Sequence, residues 1–203
     1  MTIVVLAGDE DWTALQNIAA GTEWKRVTNC DAFLAEQADA YFNLEEGSSC
    51  TDYTGINAPV FINSISTTLA EMNAPANVIR LNAWPGFIQK DSWEISGRPD
   101  AAAEAVLKNL QKKYITVPDE PGMVSPRIIA MIINEAFFAK GEGVSSDEEI
   151  DIAMKLGTNY PYGPFEWARK IGLQQVYALL QKLSATDERY LPAPALQKEI
   201  ITF

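Results

Sequence analysis

The order of hydrophobic and polar positions divides the chain into two parts. In the first part, residues 2–8 form a short run rich in β-branched side chains that ends at a glycine, which predicts a buried first strand. A helix is predicted next, because Trp12, Leu15, Ile18 and Ala19 would share one of its faces. The same reasoning predicts helices near 32–37 and 100–113 and strands at 24–28, 41–44, 60–65, 78–84, 92–96 and 114–117. Strands that alternate with helices are typical of a mostly parallel sheet covered on both faces.

The pattern changes after Pro118. Residues 124–140 are apolar almost all round, which predicts a helix that is buried between other helices or in a subunit interface. Ser146 and Glu149 form a capping box for a further helix, and residues 173–183 predict another amphipathic helix. The sequence therefore predicts an α/β domain over residues 1–118 and an all-α domain over residues 119–203.

Charge narrows the range of partners. The 203 residues carry a formal net charge of -11, and the first 79 contain eleven acidic side chains against Lys25 and Arg26 alone. Such a field disfavours nucleic acid. It also disfavours the phosphates of NAD and CoA unless backbone amides are arranged to bind them.

Cysteine content and hydropathy suggest an ordinary cytoplasmic protein. Cys30 and Cys50 are too few and too far apart in sequence to indicate a disulfide framework or a metal site. The longest apolar run, 128–133, is well short of the roughly 20 residues that a membrane span needs. The sequence begins with no recognisable signal peptide. We therefore expect a cytoplasmic location, no metal and no membrane contact.

The second part of the chain resembles the C-terminal domain of the 3-hydroxyacyl-CoA dehydrogenases. The resemblance rests on Pro-Gly-Met-Val-Ser-Pro-Arg at 121–127, on Gly-Thr-Asn-Tyr-Pro-Tyr-Gly-Pro-Phe-Glu-Trp at 157–167, and on the closing segment 187–196. It implies a reduced Rossmann-like domain ahead of the helical one, a role in fatty-acid or acyl-CoA metabolism, and an acyl-CoA ligand. It also implies a homodimer formed through the helical domain, which agrees with the apolar residues 124–140. The alternative is a monomer in which neighbouring helices enclose that segment.

The segment 78–86 resembles the strand on which this family carries its catalytic histidine, and Asn82 stands at the histidine position. The sequence contains no histidine, and an asparagine amide cannot accept a proton. Glu94, twelve residues later, resembles the glutamate that orients the histidine. Together they would form a dyad that has lost its base but could still donate a hydrogen bond to a substrate. The alternative is that Asn82 satisfies backbone groups at a strand end and Glu94 is an ordinary strand residue.

Residues 63–66 resemble a family segment from which a serine contacts the substrate hydroxyl. Asn63, Ser64 and Ser66 are therefore candidate substrate contacts. Turn and helix-cap chemistry is the alternative and is commoner for such short polar segments after a strand.

The first turn fits a dinucleotide poorly. A cofactor site needs several glycines after the first strand, and only Gly8 could serve. Asp9, Glu10 and Asp11 occupy the place of the phosphates, where they suit a helix N-terminus better. The favoured hypothesis is a family relative with NAD-dependent oxidation of the 3-hydroxyl impaired or lost and with no cofactor bound. One alternative is a non-enzymatic, dimerising or partner-binding relative. Another is an enzyme that uses Glu94 as its base.

Overall fold

The computed structural model describes residues 1–18 and 21–202, so Ala19, which we placed on the first helix, lies outside the described residues. The chain divides into two compact units, Met1–Met123 and Val124–Phe203.

The N-terminal unit is built on a mostly parallel sheet that confirms the predicted Rossmann-like class. Within the described residues the sheet has seven strands in the order β2-β1-β3-β4-β5-β6-β7. Neighbouring strands are parallel except β5 and β6, which are antiparallel, so β6 and β7 run against the rest. The strands are β1 (Thr2–Leu6), β2 (Glu23–Val27), β3 (Ala40–Asn43), β4 (Val60–Ile62), β5 (Val78–Leu81), β6 (Ser92–Ser96) and β7 (Lys113–Val117).

Both faces of this sheet are covered, as predicted. Helices α1 (Asp9–Gln16) and α4 (Ala101–Asn109) pack on the face that carries Ile3 and Val5. Helix α2 (Cys30–Ala35), with the short helix α3 (Leu69–Met72) at its margin, packs on the face that carries Val4 and Leu6. Because successive side chains of a strand point to opposite faces, one continuous apolar run supplies both cores.

Some boundaries differ from the predictions. Strands β4 and β5 end at Ile62 and Leu81, three residues earlier than expected, because the side chains of Asn63 and Asn82 bond to neighbouring backbone groups and turn the chain. Helix α3 was not predicted. It has four residues, none of them fully buried, so it leaves no hydrophobic period in the sequence.

The prediction for the cysteines was wrong. Cys30 and Cys50 form a disulfide, with their Cα atoms 5.1 Å apart. The disulfide joins the start of α2 to the loop that follows β3. Spacing along the sequence could not reveal this pair, because α2 packs on the same face of the sheet as the loop.

The C-terminal unit is helical. It contains α5 (Ser125–Gly141), α6 (Asp147–Thr158), α7 (Pro164–Ile171), α8 (Leu173–Ser184), a 3₁₀ turn at Glu188–Tyr190, and α9 (Pro194–Thr202). The predicted capping box of Ser146 and Glu149 is present at the start of α6. None of the helices in the described ranges combines the length and apolar character needed to traverse a bilayer.

The proline- and glycine-rich segment between α6 and α7 is explained by packing. Asp151 is buried, and its carboxylate accepts hydrogen bonds from the backbone N–H groups of Phe165 (2.7 Å) and Glu166 (3.1 Å) at the start of α7. A Cβ atom on Gly163 would overlap Asp151, so glycine is required there. The motif therefore fixes a helix–helix junction and supplies no reactive group.

Candidate functional site

The candidate site lies where β1, β3, β4 and β5 reach their carboxyl ends, which we call the carboxyl edge. In open α/β sheets ligands bind outside this edge, at the point where the strand order reverses. Here the order reverses between β1 and β3, since β1 has β2 on one side and β3 on the other. The turn after β1 and the loop after β3 therefore flank the place where a ligand is expected.

The structure brings Asn82 and Glu94 together. Arg80 pairs with Ser96 and Leu81 with Ile95 in the antiparallel register, which sets Asn82 opposite Glu94. The Asn82 backbone N–H donates to the Glu94 carbonyl (3.0 Å), and the Asn82 Nδ2 lies 3.5 Å from the Glu94 Oε2. The Asn82 side chain is buried, and its Oδ1 accepts a hydrogen bond from the backbone N–H of Trp84 (3.2 Å). The pair holds a hydrogen-bond donor in place but offers no proton acceptor at position 82.

The predicted substrate contacts lie in the adjacent loop. Asn63 is buried and ties three strand ends together, since its Nδ2 donates to the Leu44 carbonyl (3.1 Å) and its Oδ1 accepts from the Ala83 N–H (3.3 Å). The Ser64 hydroxyl donates to the Thr67 carbonyl (2.8 Å), which is turn chemistry. Ser66 is half-buried in the same loop.

Arg80 was not among the predicted residues. Its side chain is wholly buried, and its guanidinium donates to the carbonyls of Ser64 (2.7 Å) and Ile65 (2.8 Å). It also forms an ion pair with Asp119 (2.8 Å), which accepts the backbone N–H groups at the start of α3. Arg80 therefore fixes the loop after β4. The sequence contained a signal for Arg80, because its charged side chain interrupts an otherwise apolar strand.

Glu46, in the loop after β3, is a second residue that the sequence analysis missed. Its Oε2 accepts a hydrogen bond of 2.6 Å from the indole Nε1 of Trp84, which is itself buried. Burial raises the pKa of Glu46 to about 7, although the Trp84 and Ile65 hydrogen bonds and the charge of Arg80 act in the opposite direction. The carboxyl edge therefore contains a carboxylic acid whose pKa lies near neutral pH. Glu46 and Trp84 are 38 positions apart, so no local pattern pairs them.

The first turn does not match a phosphate-binding loop. Gly8 has extended backbone (φ -65°, ψ 171°), and a Cβ atom added there would meet nothing within 4 Å. Neither the backbone nor the packing therefore requires a glycine at this position. Asp9, Glu10 and Asp11 form the first turn of α1, and burial together with the charge of Glu10 raises the pKa of Asp11 to about 6.

The guanidinium of Arg26, beside this turn, already has two partners. Arg26 pairs with Asp9 (2.7 Å) and donates to the Ala7 carbonyl (2.9 Å). A diphosphate here would meet the three carboxylates of the first turn along with its backbone amides, so these residues do not fit NAD. Across the described ranges there is also no group of three or more Cys, Asp or Glu side chains that could hold a metal ion.

Comparisons with known proteins show what the C-terminal part of the chain resembles. The family model of the 3-hydroxyacyl-CoA dehydrogenase C-terminal domain matches residues 122–202. The 3-hydroxyadipyl-CoA dehydrogenase of Escherichia coli K12 is 42% identical over 108 residues, which are 51% of this chain and 23% of that protein. A probable 3-hydroxybutyryl-CoA dehydrogenase of Bacillus subtilis strain 168 is 39% identical over 98 residues, 47% of this chain and 34% of that protein. The chain thus matches only about a quarter to a third of the length of these relatives.

Two solved structures of 3-hydroxybutyryl-CoA dehydrogenases are also similar to this chain. The (S)-3-hydroxybutyryl-CoA dehydrogenase of Ralstonia eutropha superposes with a TM-score of 0.70 at 22% identity, over 99% of this chain and 93% of that one, which shows a shared fold. The 3-hydroxybutyryl-CoA dehydrogenase of E. coli K12 has a TM-score of 0.58 at 33% identity, over 70% of this chain and 31% of that one.

Proposed function

Because residues 122–202 belong to the C-terminal-domain family of the 3-hydroxyacyl-CoA dehydrogenases, we propose that this protein is a relative of those enzymes that has lost NAD-dependent oxidation of a 3-hydroxyl group. Its role then lies in acyl-CoA metabolism without that chemical step. The observation that carries the proposal is the buried amide of Asn82, which faces Glu94 where the sequence resemblance puts the catalytic base.

The chemical argument concerns the hydroxyl proton. Oxidation of an alcohol to a ketone removes a hydride from carbon and a proton from oxygen, so a positioned base must accept the proton. An amide nitrogen has no basic lone pair, and the amide oxygen of Asn82 is already bonded to the Trp84 N–H. Loss of a general base alone typically removes a factor of about 10² to 10⁴ in rate.

The turn after β1 supports the same proposal, because its charge disfavours binding of the cofactor. The three carboxylates of Asp9, Glu10 and Asp11 stand where the diphosphate of a dinucleotide would approach the helix N-terminus. Like charges in a partly desolvated turn repel strongly, and Arg26 is held by Asp9 and Ala7.

Two measurements on the purified full chain test the proposal. NADH fluorescence titration should show no saturable binding at millimolar cofactor. NAD-dependent oxidation of 3-hydroxybutyryl-CoA should stay at a trace, and turnover on the order of 10 per second would refute the proposal. Tight NADH binding without turnover would contradict the argument about the first turn and leave the argument about Asn82 standing.

The variant Asn82→His distinguishes loss of the catalytic base from loss of cofactor binding. Asn82→His should restore no oxidation, because the cofactor is not bound, and Asn82→Gln is the matched control. Recovered activity in Asn82→His alone would show that the site still accepts NAD. If the unaltered protein proves active, Glu94→Gln and Glu46→Gln will show which carboxyl group serves as the base.

A second candidate function is assembly through the helical unit. Val124, just before α5, and Ile128 on α5 are 47% and 54% exposed, and Ile128 lines a groove together with Met131, Ile132 and Tyr190. Covering such a surface would favour a homodimer. Ile132→Asp should convert the dimer to a monomer or an aggregate in sedimentation experiments, whereas Gln174→Asp on the exposed face of α8 should not. A 22.4 kDa species alone at micromolar concentration would refute dimerisation.

A further inference from the structure

A cavity of about 380 Å³ lies within the helical unit, bounded by α5, the start of α6, α7, the first turn of α8 and α9. Its apolar surface is formed by Phe137, Phe165, Ala168, Leu173 and Ile200. The rings of Phe137 and Phe165 pack edge to face, with centroids 5.0 Å apart, and both are buried. The base of the cavity is therefore a packed aromatic pair, and the residues that line the cavity all belong to the helical unit.

The charged groups at the rim of the cavity are arranged around one lysine. Asp147 and Glu199 line the rim, and both accept hydrogen bonds from the Lys140 ammonium, at 2.9 and 3.0 Å. The ammonium also lies 5.4 Å from the Phe137 ring and 5.3 Å from the Phe165 ring. Two carboxylates against one ammonium leave the rim net negative.

The remaining cation of the lining does not change that balance. Arg169 pairs with Asp151 at 3.2 Å, so its charge is also matched. An anionic ligand would thus meet no excess positive charge, in a protein whose net charge is already -11. Each carboxylate keeps lone pairs that can accept a hydrogen bond from a neutral O–H or N–H group.

We propose that this cavity binds a small uncharged aromatic molecule that carries one hydrogen-bond donor. Its ring would pack against the half-buried side chains of Leu173 and Ile200, and its donor would bond to Asp147 or Glu199. The volume is at the lower end of the roughly 300–1,000 Å³ that ligand pockets span, which suits a molecule of one or two rings. The inference is independent of the proposed loss of oxidation, because the cavity is lined entirely by residues of the helical unit.

Indole is a suitable probe, and calorimetric titration of the full chain is the test. A ligand with so few atoms should bind with a dissociation constant at or below about 1 mM. Ala168→Leu extends a side chain from the buried floor into the cavity and should weaken binding at least tenfold. Ala178→Leu makes the same change on the exposed face of α8 and should alter the constant less than twofold.

A second cavity variant and a second ligand serve as controls. If circular dichroism shows that Ala168→Leu is unfolded, Leu173→Phe at the cavity wall replaces it, with the same expected loss. N-methylindole lacks the N–H group and should bind at least threefold more weakly than indole. Absence of saturable indole binding at several millimolar, or equal weakening by Ala168→Leu and Ala178→Leu, would overturn the site. Equal affinity for indole and N-methylindole would overturn the role assigned to the carboxylates.

Discussion

Replacing Arg80 by methionine removes a guanidinium from a place that solvent does not reach. The Arg80 side chain is 0% exposed and donates four hydrogen bonds of 2.7 to 3.1 Å, to Ser64, Ile65, Asp119 and Glu120. Breaking a buried ion pair by removing one partner typically costs about 3–5 kcal/mol of unfolding free energy. We expect about 3 kcal/mol, because Asp119 is 28% exposed and can regain water.

Asp119 allows the same interaction to be tested by pH. Burial would raise the pKa of Asp119, but hydrogen bonds from the Leu69 N–H, Arg80 and the Ala70 N–H hold it below its usual range. A lowered pKa in the folded state contributes stability above the ordinary pKa of about 3.9, and this contribution is lost as the pH falls through the folded value. The acid limb of the stability curve should therefore be shallower in Arg80→Met than in the unaltered protein.

Urea unfolding of the full chain, followed by far-ultraviolet circular dichroism, measures both effects. Arg98→Met is the matched control, since Arg98 is an exposed arginine of the same unit and its replacement should change the unfolding free energy by less than about 0.5 kcal/mol. A loss below about 1 kcal/mol in Arg80→Met, or a loss equal to that of the control, would refute the reasoning.

Three further predictions follow from other contacts. Because the pKa of Glu46 is about 7 in the folded protein against 4.5 ordinarily, the unfolding free energy should fall by up to about 3 kcal/mol as the pH rises across that interval. Glu46→Gln should show a smaller fall than the unaltered protein, since the raised pKa of Asp11 still contributes, and urea unfolding at pH 5 and pH 8 measures the difference. Alkylation of the denatured protein before reduction should label neither Cys30 nor Cys50, and Cys50→Ser should lower the unfolding free energy by about 3 kcal/mol. Two labels per chain would contradict the disulfide. Asp151→Ala removes the acceptor for two N–H groups of α7 and should cost about 2 kcal/mol in thermal unfolding, whereas an unchanged midpoint would contradict the capping role.

The sequence predicted the elements whose signal is local. Strand β1 could be predicted because a short β-branched run that ends at a glycine is typical of a buried strand. Helix α6 could be predicted from the capping box of Ser146 and Glu149. The ends of β4 and β5 were less accurate, because Asn63 stops β4 through a hydrogen bond to the Leu44 carbonyl, 19 residues away, and Asn82 stops β5 through a hydrogen bond from the Trp84 N–H. Propensity along the chain does not contain that information.

The candidate site was predictable only in part. Asn82 and Glu94 could be paired because they stand in a hairpin of two adjacent strands and resemble a family motif. Glu46 with Trp84 and Cys30 with Cys50 are brought together by the loops of the parallel sheet, across separations of 38 and 20 residues in sequence, so no local pattern indicates either pair. Arg80 was visible as a charge in an apolar strand, but its partner Asp119 lies 39 residues away.

The antiparallel register of β5 and β6 has a consequence for how this region can change in evolution. Asn82 and Glu94 face each other because of the ladder that pairs Leu81 with Ile95, whatever the length of the connection between them. Insertions or deletions at the exposed residues 89–91 can therefore occur without separating the pair, whereas the buried Phe87 and Ile88 are held by the core. A slip of one residue in the ladder would instead turn the Glu94 side chain to the opposite face of the sheet. A search for distant relatives should allow gaps in the connection and hold the two strands in fixed alignment.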